Sequence, residues 1–375
     1  MTSPANAKTV VVIQLSGGND ALNTVIPYNN EHYYDLRPQV NISQDNVLKI
    51  NDELGFNPSM APIKRLWDEG NVAVINGIGY PSPNRSHFRS MDVWHTAEPD
   101  TISNEGWLGR AIRQIDPDGE NVITGVNFGR GLPRALYAKD VPVASVGNLE
   151  NYGLMTDMKN EAARNLALEA FSQMYGGSGK DPIAQFISQT GLDALKGADI
   201  LRAAPRQYSS TVEYAHTPIA QNLKSISQVM SADLGTRVFY TQHGSFDTHS
   251  GELSAHSKLW QDVSEAVGDF TDDLKEHGQL DDTLILMFSE FGRRIKDNGA
   301  GTDHGSGGSA FVIGGAVNGG TYGEFPSLRS EDQIEGDMRF NNDFRITYST
   351  IADRWLGLDP VHIANGTFEQ FDFVD

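Results

Sequence analysis

Cysteine is absent from this chain of 375 residues, and its absence excludes several kinds of site. The protein has no disulfide framework, no thiolate metal site and no cysteine nucleophile. Any bound metal must therefore take its ligands from histidine, from carboxylates or from backbone oxygens. The lack of thiols also suits an oxidising compartment.

Positive charge is scarce in the sequence. The chain has 29 Lys and Arg residues against 49 Asp and Glu residues, so its formal net charge is −20. A groove for nucleic acid needs a surplus of basic residues against phosphate, so we expect no nucleic-acid partner. The same charge would be repelled by an anionic membrane surface.

Long apolar runs are also missing. The sequence contains no stretch of 18 or more apolar residues, which predicts that the protein does not insert into a membrane. Met1–Lys8 has neither a basic segment nor an apolar stretch, so we expect no signal peptide in the sequence as written.

Short aliphatic runs separated by amphipathic stretches are typical of an α/β protein. Thr9–Leu15 reads TVVVIQL and is followed by a Gly-rich turn. Between the predicted strands Val238–Thr241 and Thr283–Phe288, Glu252–Glu276 has the apolar period of a helix. This order forms a βαβ crossover, which requires parallel strands. The sequence therefore predicts a doubly wound, mostly parallel sheet with helices on both faces. Further strands are predicted at Asn71–Asn76 and Ser309–Ile313, and further helices at Met60–Glu69, Ser86–His95 and Phe344–Leu356.

The domain organisation predicted from the sequence is a single α/β domain over residues 1–375. Within it, residues 130–234 are expected to form a mainly helical insertion or cap. The clearest helical segments there are Lys159–Met174 and Ile183–Arg202, and the segment Tyr175–Gly179 interrupts them.

Titratable side chains cluster after the predicted strands. Ligands of open α/β sheets bind beyond the carboxyl ends of the strands, so these segments are candidates for a site. Carboxylates that converge there would repel one another unless a cation lay between them. We therefore predict a site for a divalent cation such as Zn²⁺, Mn²⁺, Ca²⁺ or Mg²⁺. For any one segment, the alternative is that its Asp or Ser caps the following helix. The candidate metal ligands are Asp20, Asp247, His249, Glu290, Asp303 and His304; His87 and His243 lie in the same segments.

Two arginines suggest a site for an anion. Arg85 and Arg89 are four residues apart at the start of the predicted helix Ser86–His95, where they would share one face. A helix N-terminus with two guanidinium groups suits a sulfate, phosphate or carboxylate group. The alternative is that both arginines form ordinary ion pairs.

Several motifs together resemble a known family. They include SGGNDALNTVIP, NRSHFRSMDVW, FDTHSGEL, SEFGRR and GTDHGSGG. The sequence resembles a bacterial family of unknown function that is placed in the alkaline phosphatase and sulfatase superfamily. The resemblance implies the α/β fold of that superfamily and an ancestry among metal-dependent ester hydrolases. Members often carry a twin-arginine export signal, so a periplasmic or secreted location is expected, with the cytoplasm as the alternative.

The sequence departs from the superfamily at three positions. Sulfatases carry the motif Cys-x-Pro-x-Arg, whose Cys or Ser becomes formylglycine, whereas Pro81 occupies that position in Pro81–Arg85. Glu290 and Phe291 stand where the superfamily has an Asp-His pair, and a phenylalanine cannot bind a metal. The acidic pair after the first strand is replaced by Ser16 and Gly17, and Asp20 is displaced from it.

Two functional hypotheses follow. The first is a hydrolase with one metal ion, held by Asp247, His249 and His304, that acts on sulfate or phosphate esters. Its substrate would be a small anionic ester or a sulfated or phosphorylated glycan. The second is a non-catalytic, exported relative that binds anions or glycans through a degenerate site. For the hydrolase, the candidate catalytic residues are Ser86, Arg85, Arg89 and His87.

Overall fold

The computed structural model describes residues 7–149, 182–202 and 204–375, together with a few positions between 160 and 173. The predicted interruption Tyr175–Gly179 and half of the predicted helix Lys159–Met174 lie outside the described residues.

Strands and helices alternate along most of the chain. The strands are β1 (Thr9–Leu15), β2 (Val25–Ile26), β3 (Leu48–Lys49), β4 (Gly55–Phe56), β5 (Val72–Gly79), β6 (Gly125–Phe128), β7 (Ala144–Val146), β8 (Val238–His243), β9 (Thr283–Phe288), β10 (Gly308–Ile313), β11 (Gly320–Tyr322) and β12 (Asn342–Asp343). The α-helices are α1 (Glu31–Leu36), α2 (Ala61–Asp68), α3 (His87–Thr96), α4 (Trp107–Ile115), α5 (Pro182–Leu201), α6 (Ala204–Gln207), α7 (Pro218–Ser231), α8 (Glu252–Glu276), α9 (Phe344–Thr350) and α10 (Pro360–Ala364).

In the described part of the chain, nine strands form one central sheet. Its spatial order is β11-β5-β10-β9-β1-β8-β6-β7, and β12 pairs with β5. The central strand β1 is parallel to both neighbours, with Val12 opposite Tyr240 on one side and Leu286 on the other. The strands β2, β4 and β3 form a separate small sheet. The predicted doubly wound, mostly parallel sheet is confirmed.

The strand β10 runs against its neighbours. It is antiparallel to β5 and to β9, and β5 and β9 are therefore parallel to each other. Because β10 runs in the opposite direction, its beginning lies at the same edge of the sheet as the ends of β1, β5, β8 and β9. The residues that precede β10 therefore join those that follow the parallel strands.

Helices cover both faces of the sheet because the central strands are apolar on both sides. Val11 and Ile13 of β1 belong to one buried cluster with side chains of α2, α7 and α8. Val10 and Val12 point the other way and pack with side chains of α3, α4 and α9. Among the described helices, none is long and apolar enough to cross a membrane.

Three predicted segments differ in detail. The helix predicted at Ser86–His95 is α3, which begins at His87, so Arg85 lies outside it. The helix predicted at Phe344–Leu356 is α-helical only to Thr350 and continues as a π-helix over Ile351–Trp355. Within 130–234, β7 pairs with β6 in the central sheet. That strand is part of the main sheet, and the rest of the proposed insertion remains a prediction.

We predict that the aromatic cluster beneath the sheet contributes strongly to stability. Trp94 stacks between Phe288 and Phe344, with ring centroids 4.9 and 4.4 Å away. Trp94→Ala should lower the free energy of unfolding by about 3–5 kcal/mol, because it leaves a large cavity. Phe88→Ala is the matched control on the same helix. Its ring is 89% exposed, so we expect a change within about 0.5 kcal/mol in denaturant titrations.

Candidate metal centre

The topology brings five loops to one edge of the sheet. The parallel strands β1, β5, β8 and β9 end there, and β10 begins there. The loops that follow the parallel strands carry His87, Asp247, His249 and Glu290, and the loop before β10 carries His304. The sheet therefore assembles a polar cluster from residues that are far apart in sequence.

Three ligand atoms form a compact triangle in this cluster. Oδ1 of Asp247, Nε2 of His249 and Nε2 of His304 are each 3.0 Å from the other two. Ligands at 2.0–2.1 Å from a tetrahedral Zn²⁺ lie about 3.3 Å apart, close to these spacings. Two imidazole nitrogens at this separation need a positive charge between them, either a shared proton or a cation. The donor set and its spacing fit a divalent cation.

Both imidazoles are oriented from behind. Nδ1 of His249 lies 3.0 Å from Oδ1 of Asp303, and Nδ1 of His304 lies 2.8 Å from the backbone carbonyl of Arg85. These acceptors favour a proton on each Nδ1, which leaves each Nε2 free to bind a cation. The Asn298 side chain donates to Asp303, and this hydrogen bond lowers the pKa of Asp303. Asp303, predicted as a ligand, is therefore placed as an orienting partner.

His87 enters the cluster from the start of α3. Its Nδ1 lies 2.8 Å from Oε1 of Glu290, and this hydrogen bond raises the pKa of His87. Its Nε2 is buried, has no hydrogen-bond partner among the described residues and lies 3.6 Å from Oδ2 of Asp247. One ligand atom from each of His87, Asp247 and His304 falls within a span of 4.8 Å. His87 is thus aimed at the same point as the triangle.

Glu290 lies behind His87. Its side chain is 1% exposed, and Oε1 also accepts the backbone N–H of Gly17 at 2.9 Å. The sequence prediction made Glu290 a metal ligand, but its contacts make it the carboxylate that orients His87. The reason is that the end of β9 is buried beneath the loop after β1.

Arg293 is a residue of the site that the sequence analysis missed. Its guanidinium is buried, and Nη2 donates to Oδ1 of Asp247 at 2.7 Å and to the Phe246 carbonyl at 3.0 Å. Nε donates to the Gly18 carbonyl at 2.6 Å, and Nη1 to the Thr302 carbonyl at 3.1 Å. Burial alone would raise the pKa of Asp247, but the hydrogen bond and the positive charge of Arg293 help to lower it to about 2. Arg293 lies in the SEFGRR motif, but an arginine is not a metal ligand, so a search for ligand residues did not select it.

Two glycines allow the loop after β1 to approach the cluster. Gly17 has a φ of +122°, and a Cβ there would lie 2.5 Å from the backbone nitrogen of Asp247. Gly18 has a φ of +75°, and a Cβ there would lie 2.2 Å from the ring of Phe291. That ring packs against His87 and His304, with centroids 4.9 and 4.8 Å away. Phe291 thus fills the space beside the triangle with an apolar group.

Asp20 is placed away from the cluster, contrary to the sequence prediction. It is fully buried and forms a two-pronged ion pair with Arg37, at 2.5 and 2.9 Å. Burial opposes ionisation, but Arg37 outweighs it and lowers the pKa of Asp20 to about 2. Beside it, burial and the Asp20 charge raise the pKa of Glu252 to about 9. One proton therefore resides on Glu252, which also accepts a hydrogen bond from Thr302 at 2.6 Å.

The two arginines predicted to bind an anion are separated. Nε and Nη2 of Arg85 bind Asp337 at 2.9 and 2.8 Å. Nη2 of Arg89 donates to the carbonyls of Pro99 and Thr101, at 2.7 and 3.0 Å. They do not share a helix face because α3 begins after Arg85.

Ser86 and His243 also lie outside the triangle. Ser86 is exposed at the residue before α3, and its hydroxyl does not cap the helix. His243 ends β8 and packs against Phe246, with ring centroids 6.1 Å apart.

The fold and the cluster define an α/β protein with a candidate metal centre at the carboxyl edge of its sheet. The chain belongs to the family described as protein of unknown function (DUF1501), which matches residues 7–344. The family predicted from the sequence motifs is confirmed. None of the curated proteins matches this sequence.

Several solved structures are similar at low identity. The PsFucS1 sulfatase from Pseudoalteromonas sp. is 12% identical with a TM-score of 0.44, covering 98% of this chain and 71% of that chain. The C-terminal periplasmic domain of EcEptC from Escherichia coli, in complex with Zn, is 7% identical with a TM-score of 0.40, covering 84% and 74%. The lipoteichoic acid synthase LtaP from Listeria monocytogenes is 10% identical with a TM-score of 0.38, covering 85% and 69%.

We predict that Glu252→Gln changes the pH dependence of stability. The unfolded Glu252 loses its proton near the ordinary value of 4.5, whereas the folded one keeps it to about pH 9. Its contribution to stability is therefore complete below pH 4.5 and is lost as the pH rises towards 9. The neutral amide cannot lose a proton, so the variant should gain stability relative to wild type between pH 5 and 8.5, by at most about 1.4 kcal/mol per pH unit.

The measurement is urea denaturation of both proteins across that pH range. Buried histidines also titrate near it, so the difference between the two proteins is the quantity that counts. Glu265→Gln, on the exposed side of the same helix, is the control and should leave the pH profile unchanged. If the free energy of unfolding changes with pH in the same way for wild type and Glu252→Gln, folded Glu252 does not hold the proton.

Proposed function

We propose that this protein hydrolyses phosphate or sulfate esters with one divalent cation bound by Asp247, His249 and His304. The observation that carries the proposal is the triangle of ligand atoms with 3.0 Å edges. Asp303 and the Arg85 carbonyl support it, because they orient the two imidazoles towards the same point. Three ligands leave coordination positions open, as catalytic sites require.

A single ion is proposed because apolar and paired groups occupy the adjacent space. The ring of Phe291 packs against His87 and His304 and offers no ligand atom. Glu290 is committed to His87 and to the Gly17 backbone. Asp20 is committed to Arg37. Carboxylates predicted as ligands are thus used to hold other residues.

When bound, the cation would polarise the ester and lower the pKa of a coordinated water. Asp247 stays ionised because Arg293 donates to it. His87, held by Glu290, faces the cluster through Nε2 and donates a proton to the leaving oxygen. In the hydrolysis, a water oxygen forms a bond to phosphorus or sulfur while the bond to the ester oxygen breaks. The departing oxygen takes the proton of His87, the water releases a proton to solvent, and His87 regains one from solvent. Ser86 is not assigned as the nucleophile, because its exposed hydroxyl precedes the helix on which His87 lies.

The anionic group of the substrate is held without the arginines that the sequence suggested. The guanidinium of Arg85 is paired with Asp337, and that of Arg89 with backbone carbonyls. A bound cation and protonated His87 would supply positive charge instead. The proposed substrate is a small anionic ester, of which a sulfated or phosphorylated glycan is one class. A periplasmic or secreted location is proposed on the family resemblance and the absence of cysteine.

The second candidate function is anion or glycan binding without catalysis. The observations that favour it are Pro81 at the position of the sulfatase nucleophile and the apolar ring of Phe291 inside the cluster. This alternative needs no stoichiometric metal, so metal content and turnover distinguish the two functions.

We predict that protein purified without chelator contains about one divalent ion per chain by elemental mass spectrometry. His304→Ala removes one of three ligands, so metal content and turnover of p-nitrophenyl phosphate or sulfate should both fall by at least about tenfold. His362→Ala is the control, because His362 lies on the surface in α10 and pairs with Asp359. Equal turnover before and after chelation would exclude the metal-dependent hydrolase. Metal-free protein that binds sulfate without turnover would favour the second function.

We also predict that His87 matters most for esters with poor leaving groups. An alkoxide needs a proton as it departs, whereas p-nitrophenolate does not. His87→Asn should therefore lower kcat/KM by about 10²–10⁴-fold for an alkyl ester and much less for the p-nitrophenyl ester. The comparison is made at one pH with the metal content of both proteins measured. An equal loss on both esters would show that His87 does not donate the proton.

A further inference from the structure

A cavity of about 450 Å³ lies beside the candidate metal centre. Arg85 links the two, because its carbonyl accepts a hydrogen bond from His304 and its side chain lines the cavity. The walls come from the loop after β5 and from the segment before β12. The lining residues are Ser82, Pro83, Asn84, Arg85, Ile334, Glu335 and Asp337.

The charges on the cavity wall compensate one another. Arg85 binds buried Asp337 at 2.8 Å, and its Nη2 lies 3.5 Å from Oε2 of Glu335. Nε of Arg294 lies 3.8 Å from the other oxygen of Asp337 and adds a second positive charge from behind. Two cations and two carboxylates leave no net charge, so the wall favours neither an anion nor an ammonium group. It does present donors next to acceptors.

Two residues in the lining have a strained backbone. Ser82 has a φ of +54° and Glu335 a φ of +53°, in the left-handed region that residues other than glycine seldom adopt. Glycine would take either conformation at a lower cost. The side chain of Glu335 is 79% exposed, so packing does not explain why a residue other than glycine stands at this positive φ. Strained residues of this kind concentrate at binding sites, and here both line one cavity.

We propose that this cavity binds the uncharged, hydroxyl-rich part of the substrate, with two adjacent hydroxyls of a sugar or polyol between Glu335 and Arg85. A hydroxyl can donate to the carboxylate and accept from the guanidinium, so a pair of hydroxyls satisfies both. Pro83 and Ile334 offer apolar contact to the C–H face of a ring, and the volume is that of a small-molecule site. That the sugar or polyol bound here is the alcohol released by ester hydrolysis rests on the proposed function.

The test is saturation-transfer NMR on the full chain with methyl glycosides of galactose, glucose, mannose and fucose. At least one glycoside should bind, and Glu335→Gly should weaken its affinity about tenfold by removing a charge-assisted hydrogen bond. Glycine suits the positive φ, so this variant should fold. Asp233→Gly is the matched control, because it also removes an exposed carboxylate at a positive φ, of +48°, outside this lining.

The assignment is wrong if no glycoside binds, or if the glycoside binds equally well to Glu335→Gly and to wild type. It is also wrong if inorganic sulfate or ethanolamine competes with the glycoside for the wild type but not for Glu335→Gly. Turnover is not part of this measurement, so the two proposals fail separately. Glycoside binding that depends on Glu335 in a protein without hydrolase activity would refute only the proposed function. If the protein hydrolyses esters but binds the glycoside equally well with and without Glu335, only this assignment is refuted.

Discussion

The buried guanidinium of Arg293 connects the parts of the edge that carry chemistry. Its donors reach the loop after β1 through Gly17 and Gly18, the loop after β8 through Phe246 and Asp247, and the loop before β10 through Thr302. A buried cation with this many acceptors is stable only while all of them are in place. The side chain of Arg293 therefore helps to hold these three loops together, and Asp247 keeps its charge as a result.

Much of the architecture could be predicted from the sequence because the long central strands are continuous aliphatic runs. The boundaries of β1, β9 and α8 agree with the predicted segments, since each is a long run with a clear period. The strands β6 and β7 have only four and three residues, too short for a periodic signal, and were missed. The small sheet of β2, β3 and β4 was missed for the same reason.

The candidate site shows the same division. Position after a predicted strand singled out Asp247 and His249 as candidates, because parallel strands end at one edge. His304 reaches the same edge for a different reason, since it precedes the antiparallel strand β10. The direction in which a side chain points could not be predicted in this way. The same rule selected Asp20, whose side chain turns inward to Arg37. Whether a carboxylate faces a cavity or a buried arginine depends on partners far away in sequence, and no local pattern records them.

The antiparallel direction of β10 has a further consequence. The segment between β9 and β10 leaves the sheet and returns to it at the same edge, so it needs no crossover to the opposite end. Such a loop can lengthen or shorten at little cost in closure entropy and without shifting any strand. Glu290, Arg293, Asp303 and His304 lie in this segment, so the centre fixes both of its ends and leaves only the residues between Arg293 and Asp303 to vary in length.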